Sequence, residues 1–226
     1  MQIAEPIVAQ QTRVPEVFRR TSPILATYNF DDIISGTGYI TAYAGTTCSD
    51  GTNYLYRLSN FAYNPAICLT VAAGAANTTA AKLIDLDFDV LLNKPMEVRG
   101  EGIVTATATV YEVGGDQFTN TYIIAKLRKW DGSSETEVAS GTSMTISRLG
   151  VAAGIGEDYT ASMTIPLTNF KSGEYLRLTI EFWGYTEAGG NYTVGLYHDP
   201  MNATNGIGTG STTSVLKFFI PVKIAL

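Results

Sequence analysis

Over long stretches of this chain apolar residues fall on every second position, the period of a half-buried strand and not of a helix. In residues 214–226 the alternate positions Leu216, Phe218, Ile220, Val222, Ile224 and Leu226 are all apolar, with Lys217, Pro221 and Lys223 between them. Pro221 has no N–H to give to a ladder, so it belongs at an edge, a bulge or a bend. Residues 174–183 repeat the pattern: Leu176, Leu178, Ile180 and Phe182 point inward, and Tyr175, Arg177, Glu181 and Trp183 share the opposite face, followed by Tyr185. In residues 82–92, Ile84, Leu86, Phe88 and Val90 alternate with Asp85, Asp87 and Asp89.

Further strands are predicted at 28–34, 38–44, 54–58, 66–71, 95–113, 121–130, 136–147, 159–167 and 191–198. Turn signals separate them, among them Ser35-Gly36-Thr37-Gly38 and Lys171-Ser172-Gly173. Asp131-Gly132 predicts a two-residue hairpin turn between 121–130 and its return strand. Gly100 and Gly102 predict a bulge or bend before residues 103–111, where Thr105, Thr107 and Thr109 alternate with Val104, Ala106, Ala108 and Val110. That small-residue face predicts close packing of one sheet on another. Residues 72–81 read as a loop or a single helical turn, 114–120 as a loop, 149–156 as a glycine-rich loop and 199–213 as a long polar loop. With no helical interlude and no linker after residue 27, the pattern predicts one all-β domain over 28–226, a jelly-roll-like β-sandwich. A strand that arrives last must pair with strands made much earlier, which is how such sandwiches close.

Residues 1–27 are different. Pro6, Pro15 and Pro23 recur at nearly regular spacing and limit both helix and sheet, which predicts an extended N-terminal arm. A free tail should be poor in bulky apolar residues. This one carries Ile3, Ile7, Val8, Val14, Val17, Phe18, Ile24 and Leu25, side chains that call for a surface on the body or on a neighbouring subunit; a frayed terminus is the alternative.

Composition supports strands joined by turns: charged residues are 16%, and the chain has 29 Thr, 13 Tyr and 22 Gly. Net charge is −6, unevenly divided. The arm holds Arg13, Arg19 and Arg20 against Glu5 and Glu16, a net +1, which leaves −7 for the rest. A body this acidic is a poor match for a phosphate backbone, so no nucleic-acid partner is expected. Lys126, Arg128 and Lys129 beside Trp130 read as a solvated face. Cys48 and Cys68 are too few for a disulfide framework; Cys68 reads as a buried thiol, with a bridge between the two left open. No apolar run approaches 18 residues and none follows a basic start, so the expectation is a soluble product without membrane contact.

Candidate chemistry is sparse. Asp85, Asp87 and Asp89 could form a calcium ladder, their backbones about 6.6–6.8 Å apart. Calcium, however, takes six to eight oxygens arranged by a loop, so a solvated or subunit-facing acidic stripe that discourages edge pairing is the expectation. The sole histidine, His198, sits beside Asp199 with no nucleophile elbow in the chain. Glu97, Glu101, Glu174 and Glu181 all lie on predicted strands and leave a paired-carboxylate cleft open as an alternative. No catalytic residue, metal or cofactor is expected, and the chain is not expected to be an enzyme.

The hairpin TYIIAKLRKWDGSS, the strand YLRLTIEF, the segment YHDP before a Gly/Ser/Thr loop and the terminal LKFFIPVKIAL together resemble small jelly-roll virion proteins of tailed viruses that decorate or cement capsids. The resemblance implies a β-sandwich, often a homo-trimer, made in the host cytoplasm and seated on the capsid surface. There it would hold neighbouring major capsid subunits and contact copies of itself. The contacts it would use are the arm residues Ile3, Ile7, Val8, Val14, Val17, Phe18, Arg19 and Arg20, and the face of Tyr175 and Trp183. The alternative is a carbohydrate- or receptor-binding sandwich of a viral tail or fibre, with Tyr39, Tyr43, Tyr185 or Tyr192 as platforms.

Overall fold

The computed structural model describes residues 26–27, 37–47, 55–59, 69–74, 78–112, 118–149, 155–187, 190–197, 204–205, 212–213 and 215–223. Among them every regular element is a strand: β1 (Ala26–Thr27), β2 (Thr37–Thr47), β3 (Leu55–Ser59), β4 (Leu69–Gly74), β5 (Ala81–Leu91), β6 (Met96–Glu112), β7 (Phe118–Trp130) and β8 (Glu135–Thr142). The chain continues with β9 (Ile146–Leu149), β10 (Ile155–Phe170), β11 (Tyr175–Thr186), β12 (Tyr192–Tyr197), β13 (Thr204–Asn205), β14 (Thr212–Thr213) and β15 (Leu216–Lys223). The all-β sandwich expected from the alternation is what forms.

One layer is built on β6. It carries β10 along one edge and divides the other between β12, at residues 108–112, and β15, at residues 98–106. β4 extends the layer beyond β12, and β2 extends it beyond β15, with β1 and β3 sharing the far edge of β2. In the other layer β11 lies between β5 and β7, and β8 and β9 run end to end along the far edge of β7. These ladders are antiparallel; the layers join at a corner where β3 runs parallel to β5 through the single pair Arg57↔Asp89. On the opposite side β8 and β10 meet without a ladder. Gly141 of β8 lies so close to the Ser162 carbonyl of β10 that a Cβ would overlap it.

The core lies where the alternation puts it. Leu176, Leu178, Ile180 and Phe182 of β11 are fully buried against Ile123, Ala125 and Leu127 of β7 and the small-residue face of β6. Each such aliphatic or Phe side chain contributes about 1.5–3 kcal/mol. Tyr159 of β10 meets Phe182 edge-on at 5.3 Å, and its hydroxyl hydrogen-bonds Thr121 Oγ1 at 2.7 Å. Burial pushes that hydroxyl up to about 12, against the opposing pull of Thr121.

The two prolines inside strands share one solution. The β15–β6 register shifts between Phe219 and Val222, around Pro221, and the β10–β6 register shifts between Ile165 and Thr168, around Pro166. Both breaks flank Gly100, whose φ of 122° is open to glycine, and Pro221 Cβ lies 3.3 Å from where a Gly100 Cβ would stand. A missing donor costs nothing where the ladder is already interrupted.

Several boundaries differ from expectation. β7 begins at Phe118, inside the loop expected at 114–120, because Phe118–Thr121 find partners on β9. The single return strand expected at 136–147 is two strands. At the break the Ser143 N–H donates to Ile123 O, and Ser143 Oγ accepts from the Ile123 N–H, both at 3.0 Å, so a side chain stands in for the ladder. The hairpin loop has four residues, 131–134, not two. Asp131 Oδ1 accepts from the N–H groups of Ser134 at 2.7 Å and Ser133 at 2.9 Å, which holds its carboxyl below the usual range, and Gly132 takes a φ of 98°. Of residues 72–81, expected as a loop or a single helical turn, 72–74 belong to β4 and Ala81 opens β5. Ala26 and Thr27, assigned to the arm, pair with β2. Residues 1–25, the strand expected at 28–34, Cys48, Cys68 and His198 lie outside the described residues.

The contact between β8 and β10 makes a sharp prediction. Gly141→Ala should cost about 2–4 kcal/mol in denaturant unfolding, because backbone must move. Gly132→Ala, which meets open space and only a disfavoured φ, should cost about 1 kcal/mol. Equal costs would contradict the close approach.

Candidate interaction face

Because the period is two, the polar set of β11 faces away from the core and lines up with the polar sets of β5 and β7. The register places Arg177 between Asp89 and Arg128, Thr179 between Asp87 and Lys126, and Glu181 between Asp85 and Ile124. Arg177 takes Asp89 in a two-pronged grip, Nε to Oδ1 and Nη2 to Oδ2, both at 2.7 Å. Its Nη1 reaches Asp87 at 3.4 Å and Glu135 at 3.5 Å, and Arg128 also holds Glu135, at 3.2 Å. Thr179 Oγ1 donates to Asp87. Bidentate guanidinium–carboxylate pairs are the strong form of such contacts.

Further along the same face Glu181 is buried at 3% exposure. Burial alone would push its carboxyl up; Lys126 at 2.8 Å, the Trp183 indole N–H at 2.9 Å and Lys82 at 3.4 Å outweigh that and hold it below the usual range. Among the described side chains the belt has six carboxylates, Asp85, Asp87, Asp89, Glu135, Glu137 and Glu181, against four cations, Lys82, Lys126, Arg128 and Arg177.

An aromatic pair closes each end of the belt. Trp130 and Tyr175 lie 4.7 Å apart, tilted by 39°, with the Arg177 guanidinium 4.6 Å over the Trp130 ring. Exposed Leu91 is the register partner of Tyr175. At the far end Tyr122 and Trp183 stack at 6.2 Å and 9°. Beyond them Tyr185 is half-buried, and Phe118 and Leu149, paired across β7 and β9, are about half exposed. Both tryptophans of the chain therefore lie on one face.

Of the residues expected to meet partners, Tyr175 and Trp183 stand at opposite ends of this face, both half-buried. The eight arm residues lie outside the described region. Tyr122 and Trp130 were missed as their companions, although the alternation of TYIIAKLRKW places both on one face of β7. The three basic residues of that hairpin are not one solvated face: Lys126 and Arg128 are neutralised on the outer face, while Lys129 turns the other way to Glu174 at 2.9 Å. The carboxylates Asp85, Asp87 and Asp89 are drawn apart by Lys82, Thr179 and Arg177. Among the described residues no cluster of three or more His, Cys, Asp or Glu could hold a metal ion. Glu97 and Glu101 lie on the outer side of the β6 layer, bonded to Lys223 and Thr164, and Glu181 lies on the outer side of the other layer, so these acids do not share a cleft. Tyr192 is no platform; its ring is buried against Gly74, and burial pushes its hydroxyl up to about 12.

No known protein family and no curated protein matches the chain. Among solved structures, an aminopeptidase from the marine sediment archaeon Thaumarchaeota archaeon superposes with a TM-score of 0.53 at 8% identity, over 84% of this chain and 37% of that one. A CocE/NonD family hydrolase from Staphylococcus aureus gives 0.44 at 13% identity, over 80% and 36%. Infectious bursal disease virus, Gx strain, gives 0.27 at 9%, over 78% and 41%. The chain spans little more than a third of the two hydrolases. The archaeal likeness shows a shared fold and nothing of activity.

Glu181→Gln should destabilise the protein by about 1–3 kcal/mol near neutral pH, since Lys126 and Lys82 lose their shared anion. The native carboxyl is held low, so its contribution is full above its unfolded pKa of about 4.3 and is lost as pH falls through the native value. The gap between wild type and variant should close in that acid range; a gap that persists there would contradict the assignment.

Proposed function

We propose that the chain is a structural, non-catalytic component of a virion, a capsid decoration or cement protein that binds the major capsid lattice through the outer face of β11. The observation that carries this reading is the face itself: two half-buried aromatic pairs and exposed Phe118, Leu149 and Leu91 around a belt whose charges already satisfy one another. Aromatic anchors bordered by satisfied polar groups suit a protein partner, because docking leaves few unpaired charges behind. Long ladders of high sequence separation make the body rigid, which suits a mechanical role. The sequence resemblance supplies the virion context.

The test is decoration of capsids assembled in the presence of the chain. Trp183→Ala and Tyr175→Ala together should lower occupancy at least about tenfold while the melting transition stays cooperative. Undiminished occupancy, or a chain absent from particles, would overturn the reading.

A further inference from the structure

At one end of the sandwich the inward rows of β7 and β11 change character. After the apolar run from Leu127 to Ile123 on β7 and from Leu176 to Phe182 on β11, the next two register pairs are Thr121↔Gly184 and Thr119↔Thr186. Two tyrosines of the other layer reach in beside them. The Tyr159 hydroxyl bonds Thr121 Oγ1, and the Tyr192 hydroxyl lies 2.8 Å from where a Gly184 Cβ would stand. All five hydroxyl-bearing residues are at most 2% exposed. Yet Thr119 Oγ1 and Thr186 Oγ1 have no hydrogen-bond partner among the described residues, and they do not bond each other. Buried polar atoms are satisfied as a rule, and two orphaned hydroxyls side by side in a core would be costly.

We propose that this end of the core is an internal water site, in which one or two water molecules bridge Thr119 Oγ1 to Thr186 Oγ1. Water has the required chemistry, since it both donates and accepts. It also has the required size: directly opposed residues of an antiparallel pair have Cβ atoms about 4.5–5.5 Å apart, a gap that one oxygen spans at about 2.8 Å from each side. A buried water makes about three bonds, and the Tyr192 hydroxyl, beside the neighbouring register pair, is placed to supply the third. Solvent approaches from the same end. Arg148, the register partner of Thr119 on β9, shares its inward face and pairs with Glu157 of β10, and both side chains are partly exposed. The strands tied together in this way are the two whose outward residues Tyr122 and Trp183 stack, so the site braces that aromatic pair from behind.

The test is Thr119→Val and Thr186→Val, singly and together, in full-length protein, with stability read by denaturant unfolding, alongside a crystal structure of the wild type. Valine keeps the shape and removes the hydroxyl, so the sign of its effect separates a shared water from a bare orphan. With a shared water, each single substitution strips it of a partner and strands the other threonine. The unfolding constant should then rise about fivefold in each single variant, and by less than the product of the two in the double variant. With bare orphans, each valine removes a penalty and stability is unchanged or rises. In the crystal, ordered oxygen density should lie within hydrogen-bond distance of both Oγ1 atoms. Unchanged or increased stability in the single variants, a dry contact between the two threonines, or density extending beyond separate oxygens would overturn the proposal.

Discussion

The register of β11 between β5 and β7 is the constraint on which the outer face depends. Ladders on both edges fix it, and because side chains alternate, a one-residue slip on either side would turn an entire polar row into the core. With the register held, Arg177 has no choice but to face Asp89, and Glu181 must lie beside Lys126 and Lys82. The buried charge of Glu181 is tolerable there because Lys126 and Lys82 flank it from the strands on either side. The aromatic pairs sit where the ladder of charges stops.

The same fixed register explains how much of the fold was legible. Apolar alternation in residues 82–92, 174–183 and 214–226 gave strands and their inward sets, because burial on one face is a local property of sequence. Pro221 and Gly100 were each legible as irregular. Their relation was not, since it arises from two strands separated by more than a hundred residues. The break at Ser143 was hidden for another reason: a serine hydroxyl replacing a backbone acceptor leaves no mark on hydrophobic period. The length of the 131–134 loop turned on Asp131 bonding two following N–H groups, which an Asp-Gly pair alone does not specify.

The face was half legible. Tyr175 and Trp183 could be placed together from alternation on β11, whereas Tyr122 and Trp130 required knowing that β7 is its neighbour. The acidic stripe of β5 read as solvated or subunit-facing until Arg177 and Thr179 of β11 were set opposite it, because sequence separation of about ninety residues conceals a pair that touches. Charge that seems surplus along the chain is largely cancelled across the sheet.

The most direct measurement of the central claim, that this face is a contact surface, is hydroxyl-radical footprinting of the free and the assembled protein, read peptide by peptide at Trp130 and Trp183. Both tryptophans should oxidise readily in the free chain and lose most of that reactivity on assembly. Equal oxidation in the two states would contradict the account.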